Sequence, residues 1–212
     1  MPPREPTSPV ATLRAHPWLT SAVAGVAVVL VVVTALGGWA RSTPEGAVSV
    51  AAGTPVEATP FRIRLDEAAA TFVHDGRDAE PGLAFVVVEG RLELEAPESV
   101  GFTTVTGAIT ADLTSTYDQF GSPTEEPEAE VTVTADGSTL LGIGPGLVYD
   151  VQVTFVVDEA SVPERLTVTL LQHARRASAL DGELGWFDAT PVARVALDVA
   201  PLPATRPEPE GF

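Results

Sequence analysis

The sequence feature that most constrains the fold is a two-residue alternation of apolar and polar side chains. It is clearest in residues 147–158, and it recurs in residues 61–66, 104–113, 165–170 and 194–199. Because successive side chains of a strand point to opposite faces, this period predicts strands that bury one face. The side chains predicted to face the core are Phe61, Ile63, Leu65, Val105, Ile109, Leu113, Leu147, Tyr149, Val151, Val153, Phe155, Val157, Leu166, Val168, Leu170, Val195, Leu197 and Val199.

Residues 83–88 are apolar at every position, which is typical of a strand at the centre of a sheet. Turn signals separate the strands: Asp136-Gly137 suits a tight hairpin turn, and the Gly-Pro-Gly run at 144–146 predicts a sharp turn. We count about eight short strands and no long amphipathic helix, with only 66–70 and 178–184 ambiguous. Residues 54–200 are therefore predicted to form an all-β, antiparallel β-sandwich.

A second feature concerns the location of this domain. Residues 18–40 are uncharged and mostly apolar, with Trp18 and Trp39 near the two ends. As a helix they would be about 34 Å long, enough to cross a hydrocarbon core of about 30 Å. The run is longer than the apolar part of a signal peptide, so we predict a retained transmembrane helix. A lipoprotein anchor is excluded because the chain has no cysteine.

Charge and proline content predict the remaining organisation. Arg4 and Arg14 precede the span against a single Glu5, so the N-terminus is expected in the cytoplasm and the sandwich outside the plasma membrane. Residues 1–17 are predicted to be a disordered tail and residues 41–53 a linker. Residues 201–212 are predicted to be a proline-rich disordered tail. With 29 acidic and 12 basic residues, the chain is not expected to bind nucleic acid.

Few residues suggest a binding site. Asp75, Asp78 and Glu80 share one turn-rich segment and supply the oxygen ligands that calcium prefers, although a solvated acidic loop explains them as well. The pair Trp186 and Phe187 suggests a glycan-stacking or partner-binding surface, or else a cap on the end of the sandwich.

Catalytic and metal signals are missing from the sequence. The three histidines have no metal-ligand spacing, and there is neither a cysteine nor a Gly-x-Ser-x-Gly elbow. We therefore predict no enzyme activity, no metal and no cofactor. A hydrolase acting through Asp75, Asp78 or His173 is a third hypothesis that no pattern favours.

Three segments carry a family resemblance: 53–65, 83–94 and 143–157. Their order and the Pro-Gly turn at Pro145 resemble the immunoglobulin-like ectodomains of uncharacterised actinobacterial exported proteins and bacterial lipoproteins. The chain departs from that pattern at residues 96–99, where Ala-Pro-Glu-Ser replaces the Asn-Ser or Asn-Thr pair common after the second segment. The resemblance implies an immunoglobulin-like sandwich of seven or eight strands and a non-enzymatic role.

Together these observations predict a single-pass membrane protein that presents a β-sandwich outside the cell. The leading hypothesis is a non-enzymatic interaction or accessory subunit, partnered by a membrane protein or a cell-envelope complex. The alternative is a ligand-binding module for calcium or an envelope glycan.

Overall fold

The alternating segments form the long strands of the domain. The computed structural model describes residues 46–206, and the predicted transmembrane helix at 18–40 and cytoplasmic tail at 1–17 lie outside them. Within 46–206, no helix has the length and apolar character needed to span a membrane. The elements are β1 (Val48–Val50), β2 (Val56–Ala58), β3 (Phe61–Thr71), β4 (Val73–His74), β5 (Arg77–Asp78), β6 (Leu83–Leu94), β7 (Val100–Gly101), α1 (Phe102–Thr106), β8 (Ile109–Ala111), β9 (Thr116–Tyr117), β10 (Pro123–Thr124), β11 (Glu130–Val133), β12 (Gly142–Ile143), β13 (Val148–Asp158), a 3₁₀ turn (Glu159–Ser161), β14 (Arg165–Ala177) and β15 (Leu184–Ala200).

The main sheet curls so that its two halves form the layers of a β-sandwich. Its strand order is β10-β9-β13-β6-β3-β15-β14-β8, with β1, β2 and β11 pairing beside this path. One layer centres on β13, β6 and β3, which pair antiparallel. The other centres on the antiparallel pair β14 and β15. A short parallel pairing of Val199 and Ala200 with Ala68 and Ala69 joins the layers.

The core lies between these layers and confirms most of the predicted buried faces. Phe61 and Ile63 of β3, Phe155 of β13 and Leu166 of β14 are all almost completely buried in one cluster. The apolar strand β6 lies between β13 and β3, as its sequence predicts. Asp136-Gly137 and the 144–146 run form turns, with φ of 68° at both Gly137 and Gly146.

The structure corrects several details of the prediction. Val105 lies in the short helix α1, because packing of its buried side chain overrides the strand preference of its threonine-rich segment. Leu147 belongs to the turn before β13 and is 48% exposed. The ambiguous residues 66–70 lie in β3, and most of 178–184 forms the β14–β15 turn. The fifteen strands described exceed the expected seven or eight because many have only two or three residues.

The purely antiparallel prediction is also wrong, since β15 pairs in parallel with β1 and with β3. The pairing of β1 brings residues 48–50 of the predicted linker into the sheet. At the other end, Leu202 packs against the core and Arg206 is hydrogen-bonded to the domain. The chain at 201–206 therefore differs from the disordered tail predicted there.

Candidate functional site

An open groove of about 480 Å³ lies along the outer edge of β13. Strands β11 and β9 follow one another along this edge, because Glu130 pairs with Thr154 and Tyr117 pairs with Val156. The groove has a size typical of ligand and side-chain binding sites. Its lining includes Phe102, Tyr117, Glu128, Glu130, Leu141, Thr154 and Val156.

Two of the large apolar side chains that line this groove are exposed. Phe102 at the start of α1 is 39% exposed, and Leu141 before β12 is 74% exposed. Phe120, which directly follows the lining residue Gln119, is 77% exposed. Single exposed apolar residues are ordinary on protein surfaces, whereas a group of them around a concavity is typical of a binding surface.

The hairpin formed by β4 and β5 contacts two residues that line the groove, Thr154 and Glu130. Its turn residues Asp75 and Gly76 both have positive φ, 49° and 70°, which is the backbone of a tight hairpin turn. The turn packs against Gly137, whose missing side chain leaves room for the Asp75 carboxyl group. The hairpin places His74 and Arg77 against the lining residues Thr154 and Glu130.

His74 is buried and contacts the groove residue Thr154. Its Nε2 lies 2.9 Å from Thr154 Oγ1 and 3.1 Å from Asp75 Oδ2. An ionised carboxylate can only accept, so the contact with Asp75 requires a hydrogen on Nε2. Burial lowers the pKa of His74, and Arg77 adds to this, while the carboxylates of Asp75 and Glu130 oppose it. His74 is therefore a neutral hydrogen-bonding residue near pH 7.

Arg77 of the hairpin forms an ion pair with Glu130, a second residue that lines the groove. Its Nη2 donates to Glu130 Oε2 over 2.6 Å, and its guanidinium carbon lies 5.9 Å from the centre of the Phe85 ring. Phe85 belongs to a small apolar cluster on the outer face of the sheet, against which Tyr117 and Val156 pack. The ion pair fixes Glu130 at the groove and neutralises its charge.

The contacts of Thr154, His74 and Asp75 do not have the geometry of a catalytic triad. In a triad, the nucleophile and the orienting carboxylate bind different ring nitrogens of histidine. Here both contacts are made by Nε2 of His74. The arrangement links the β4–β5 hairpin to Thr154 of β13.

The structure separates the three acidic residues that the sequence grouped as a calcium site. Asp75 faces His74 and Gly137, whereas the Glu80 carboxyl group lies against Gly121. Asp78 is exposed at the end of β5. Among the residues described, no group of three or more His, Asp or Glu side chains is arranged to hold a metal ion.

Trp186 and Phe187 lie in β15. Trp186 packs against the core beside a small pocket of about 150 Å³ that includes Pro60 and Pro97, and its buried indole nitrogen has no hydrogen-bond partner among the residues described. The guanidinium carbon of Arg176 lies 4.6 Å from the centre of the Phe187 ring. Trp186 is thus partly buried.

His173, the other histidine considered from the sequence, is also buried. It lies in an irregular part of β14, where its backbone N–H donates to Thr59 O over 2.6 Å. Burial lowers its pKa, as it does for His74.

Sequence reasoning missed the groove because its parts come from distant segments. Phe102, Tyr117 and Leu141 are far apart in the sequence and belong to no common motif. One signal of the groove was present in the sequence. Leu140 and Leu141 are adjacent, and in an extended chain successive side chains point to opposite sides, so only one of them can face the core. Leu140 is buried, and Leu141 is the exposed residue of the pair.

Comparisons with known proteins assign this chain to no family. No family model matches the sequence, and no curated protein gives a significant match. An uncharacterised β-sandwich protein of Clostridium difficile is similar over 74% of this chain and 97% of its own, with 10% identity and a TM-score of 0.43. A Bacillus subtilis protein named as a candidate lipoprotein matches over 69% of this chain and 39% of its own, with 8% identity and a TM-score of 0.37.

A conserved hypothetical protein of Bacillus anthracis matches over 65% of this chain and 94% of its own, with 12% identity and a TM-score of 0.34. Likenesses with such TM-scores support no inference about function. The assignment of this chain to the β-sandwich class depends on its own strand pairing and core.

Proposed function

We propose that this protein is a non-enzymatic interaction module that is anchored in the plasma membrane and binds a membrane or cell-envelope protein outside the cell. One observation carries the proposal: the exposed apolar side chains of Phe102 and Leu141 line the groove beside β13. Binding of a partner would remove this apolar surface from water, which is the main favourable term in most protein association.

The membrane anchor and the orientation are part of the same proposal. Their support is in the sequence: the uncharged run at 18–40 and the arginines at 4 and 14 before it. We also propose an actinobacterial origin and an immunoglobulin-like topology, supported by the segments at 53–65, 83–94 and 143–157. The absence of lysine among 12 basic residues agrees with a GC-rich genome.

The alternative of a calcium- or glycan-binding module receives less support. Asp75, Asp78 and Glu80 do not meet at one point, and Trp186 packs against the core. It stays a prediction from the sequence.

Photo-cross-linking in native membranes tests the proposed function. A photoreactive amino acid replaces Leu141 in the full chain, and the same amino acid replaces Leu180 in a matched control. Leu180 is 98% exposed in the β14–β15 turn and does not line the groove. We expect a discrete cross-linked protein from position 141 and none of that mass from position 180. A chain that cross-links to nothing at 141, or equally at both positions, contradicts the proposal.

A further inference from the structure

Almost all the positively charged side chains of the domain form ion pairs within it. Residues 46–206 contain nine arginines and 25 acidic residues. Eight of these nine arginines form ion pairs with carboxylates of the same domain. The surplus is therefore carboxylate, and it attracts positive groups from outside.

Part of this surplus lies at the groove. Glu128 is exposed and lines the groove, and Glu125 and Glu126 precede it in the same exposed segment. None of these three carboxylates forms an ion pair within residues 46–206. The groove lining contains no arginine, and Arg77 neutralises only Glu130. The groove thus combines apolar walls with uncompensated negative charge.

This combination selects the chemistry of the occupant. A guanidinium forms a strong pair with a carboxylate and also stacks on aromatic rings. Glu128 and the rings of Phe102 and Tyr117 line the same groove. An aliphatic or aromatic side chain would cover Leu141, which a purely ionic contact leaves in water.

The extent of the exposed surface favours a polypeptide over a small cation. A small organic cation fits the volume of the groove but does not reach side chains that stand out from it. Leu141 is 74% exposed and Phe120 is 77% exposed. An extended segment that crosses the groove would cover more of Leu141, which lines the groove.

We propose that the groove binds a basic, partly apolar segment of the partner protein, with an arginine beside Glu128 and an apolar side chain against Phe102 and Leu141. This inference rests on the proposed function and adds the chemistry of the partner. It predicts that association is fast at low salt and weakens as salt screens the charges.

Peptide binding to the full chain in a zwitterionic detergent tests the inference. The probe is a fluorescent synthetic peptide in which arginine alternates with leucine and phenylalanine. Two comparison peptides replace its arginines with glutamate or its apolar residues with serine. We expect the basic apolar peptide to bind about tenfold more tightly than either comparison peptide. Its affinity should fall when NaCl rises from about 0.05 to 0.3 M.

Matched variants separate the groove from the general acidity of the domain. E128Q and Leu141→Ser should each weaken binding about three- to tenfold. The controls Glu183→Gln and Leu180→Ser change an exposed acid and an exposed leucine away from the groove, and they should leave the affinity unchanged. Equal losses in E128Q and E183Q overturn the inference, because they would show attraction by net charge alone.

Two further results overturn it as well: equal binding of the glutamate peptide, or displacement by spermidine at the concentration at which unlabelled peptide displaces. Either result leaves the cross-link from position 141 as an independent measurement. If that cross-link forms while the peptides do not discriminate, the proposed function stands and only the partner chemistry is wrong. If neither is observed, both proposals fail.

Discussion

At Gly90 the middle of strand β6 passes so close to β3 that a side chain has no room. A Cβ atom there would lie 2.3 Å from the backbone oxygen of Arg64 and 3.1 Å from Leu65 Cδ2. The register between the strands shifts at this point, between Leu65 and Glu67. The glycine thus permits the irregularity that brings the two strands together.

We expect Gly90→Ala to lower the free energy of unfolding by at least about 2 kcal/mol, because backbone atoms cannot move aside as a flexible side chain can. The matched control is Gly101→Ala, also in a strand, where an added Cβ meets nothing within 4 Å. Denaturant unfolding of the full chain in detergent measures both. Equal stability of the two variants would show that the close approach of β6 and β3 is wrong.

The two buried histidines predict how stability responds to acid. Burial lowers the folded-state pKa of both His74 and His173 below the ordinary value of about 6.5. The unfolded chain therefore takes up protons first, so their contribution to stability is complete above about pH 6.5 and is lost as the pH falls through the folded pKa values.

The measurement is the melting temperature of the full chain between about pH 7.5 and 5. We expect a decline below about pH 6.5 that becomes shallower in the double variant His74→Gln, His173→Gln. The quantity compared is the slope with pH, because the substitutions also change absolute stability. An unchanged slope in the double variant would refute the assignment of the decline to these two side chains.

Among the elements, the positions of the long strands could be predicted from the sequence, but the pairing of these strands could not. Alternation identifies the buried faces of β3, β13, β14 and β15, because the period of a strand is fixed by backbone geometry. The parallel joining of β15 to β3 depends on contacts between distant segments, which alternation does not encode. Helix α1 was missed because its threonines and valine favour strands when considered alone.

The candidate site was less predictable than the fold. Asp75, Asp78 and Glu80 are close in sequence, yet a hairpin turn sends Asp75 toward Gly137 and Glu80 lies against Gly121. The groove residues are distant in sequence, and the outer edge of β13 brings them together. Local spacing identifies sites built on one element, and this groove is built on several.

The C-terminal segment after β15 gives a prediction about one anchoring contact. Arg206 donates to the backbone oxygens of Ala79 and Leu83 over 2.5 and 2.7 Å, and its guanidinium lies 4.4 Å from the centre of the Phe72 ring. We expect Arg206→Ala to lower the free energy of unfolding by about 1–2 kcal/mol, since charged hydrogen bonds and ring stacking are both lost.

The matched control for this change is Arg165→Ala. Arg165 pairs with Asp198 at the surface, where the two side chains are 70% and 81% exposed. Exposed pairs contribute little, so the control should lose no more than about 0.5 kcal/mol. Chemical denaturation of the two variants side by side measures both losses in the free energy of unfolding. A loss in R206A no larger than in R165A would mean that the segment is not anchored by Arg206.

For the whole molecule, the absence of cysteine makes the orientation directly measurable. A single introduced cysteine is unique in the chain, so Ser8→Cys and Leu180→Cys report the two sides of the predicted span. We expect a membrane-impermeant maleimide to label Leu180→Cys in intact cells and Ser8→Cys only after lysis, because arginines before the predicted span favour a cytoplasmic N-terminus. The reverse pattern would refute the proposed orientation.

We propose that the groove beside β13 is the face that binds a partner. The partner identified by cross-linking is co-purified with two full-length variants, Leu141→Asp and Leu180→Asp, each of which replaces an exposed leucine with a charged residue. Equal melting temperatures show that both remain folded. We expect L141D to lose the partner and L180D to retain it at the wild-type level. Equal retention by both variants, or loss confined to L180D, would contradict the proposal.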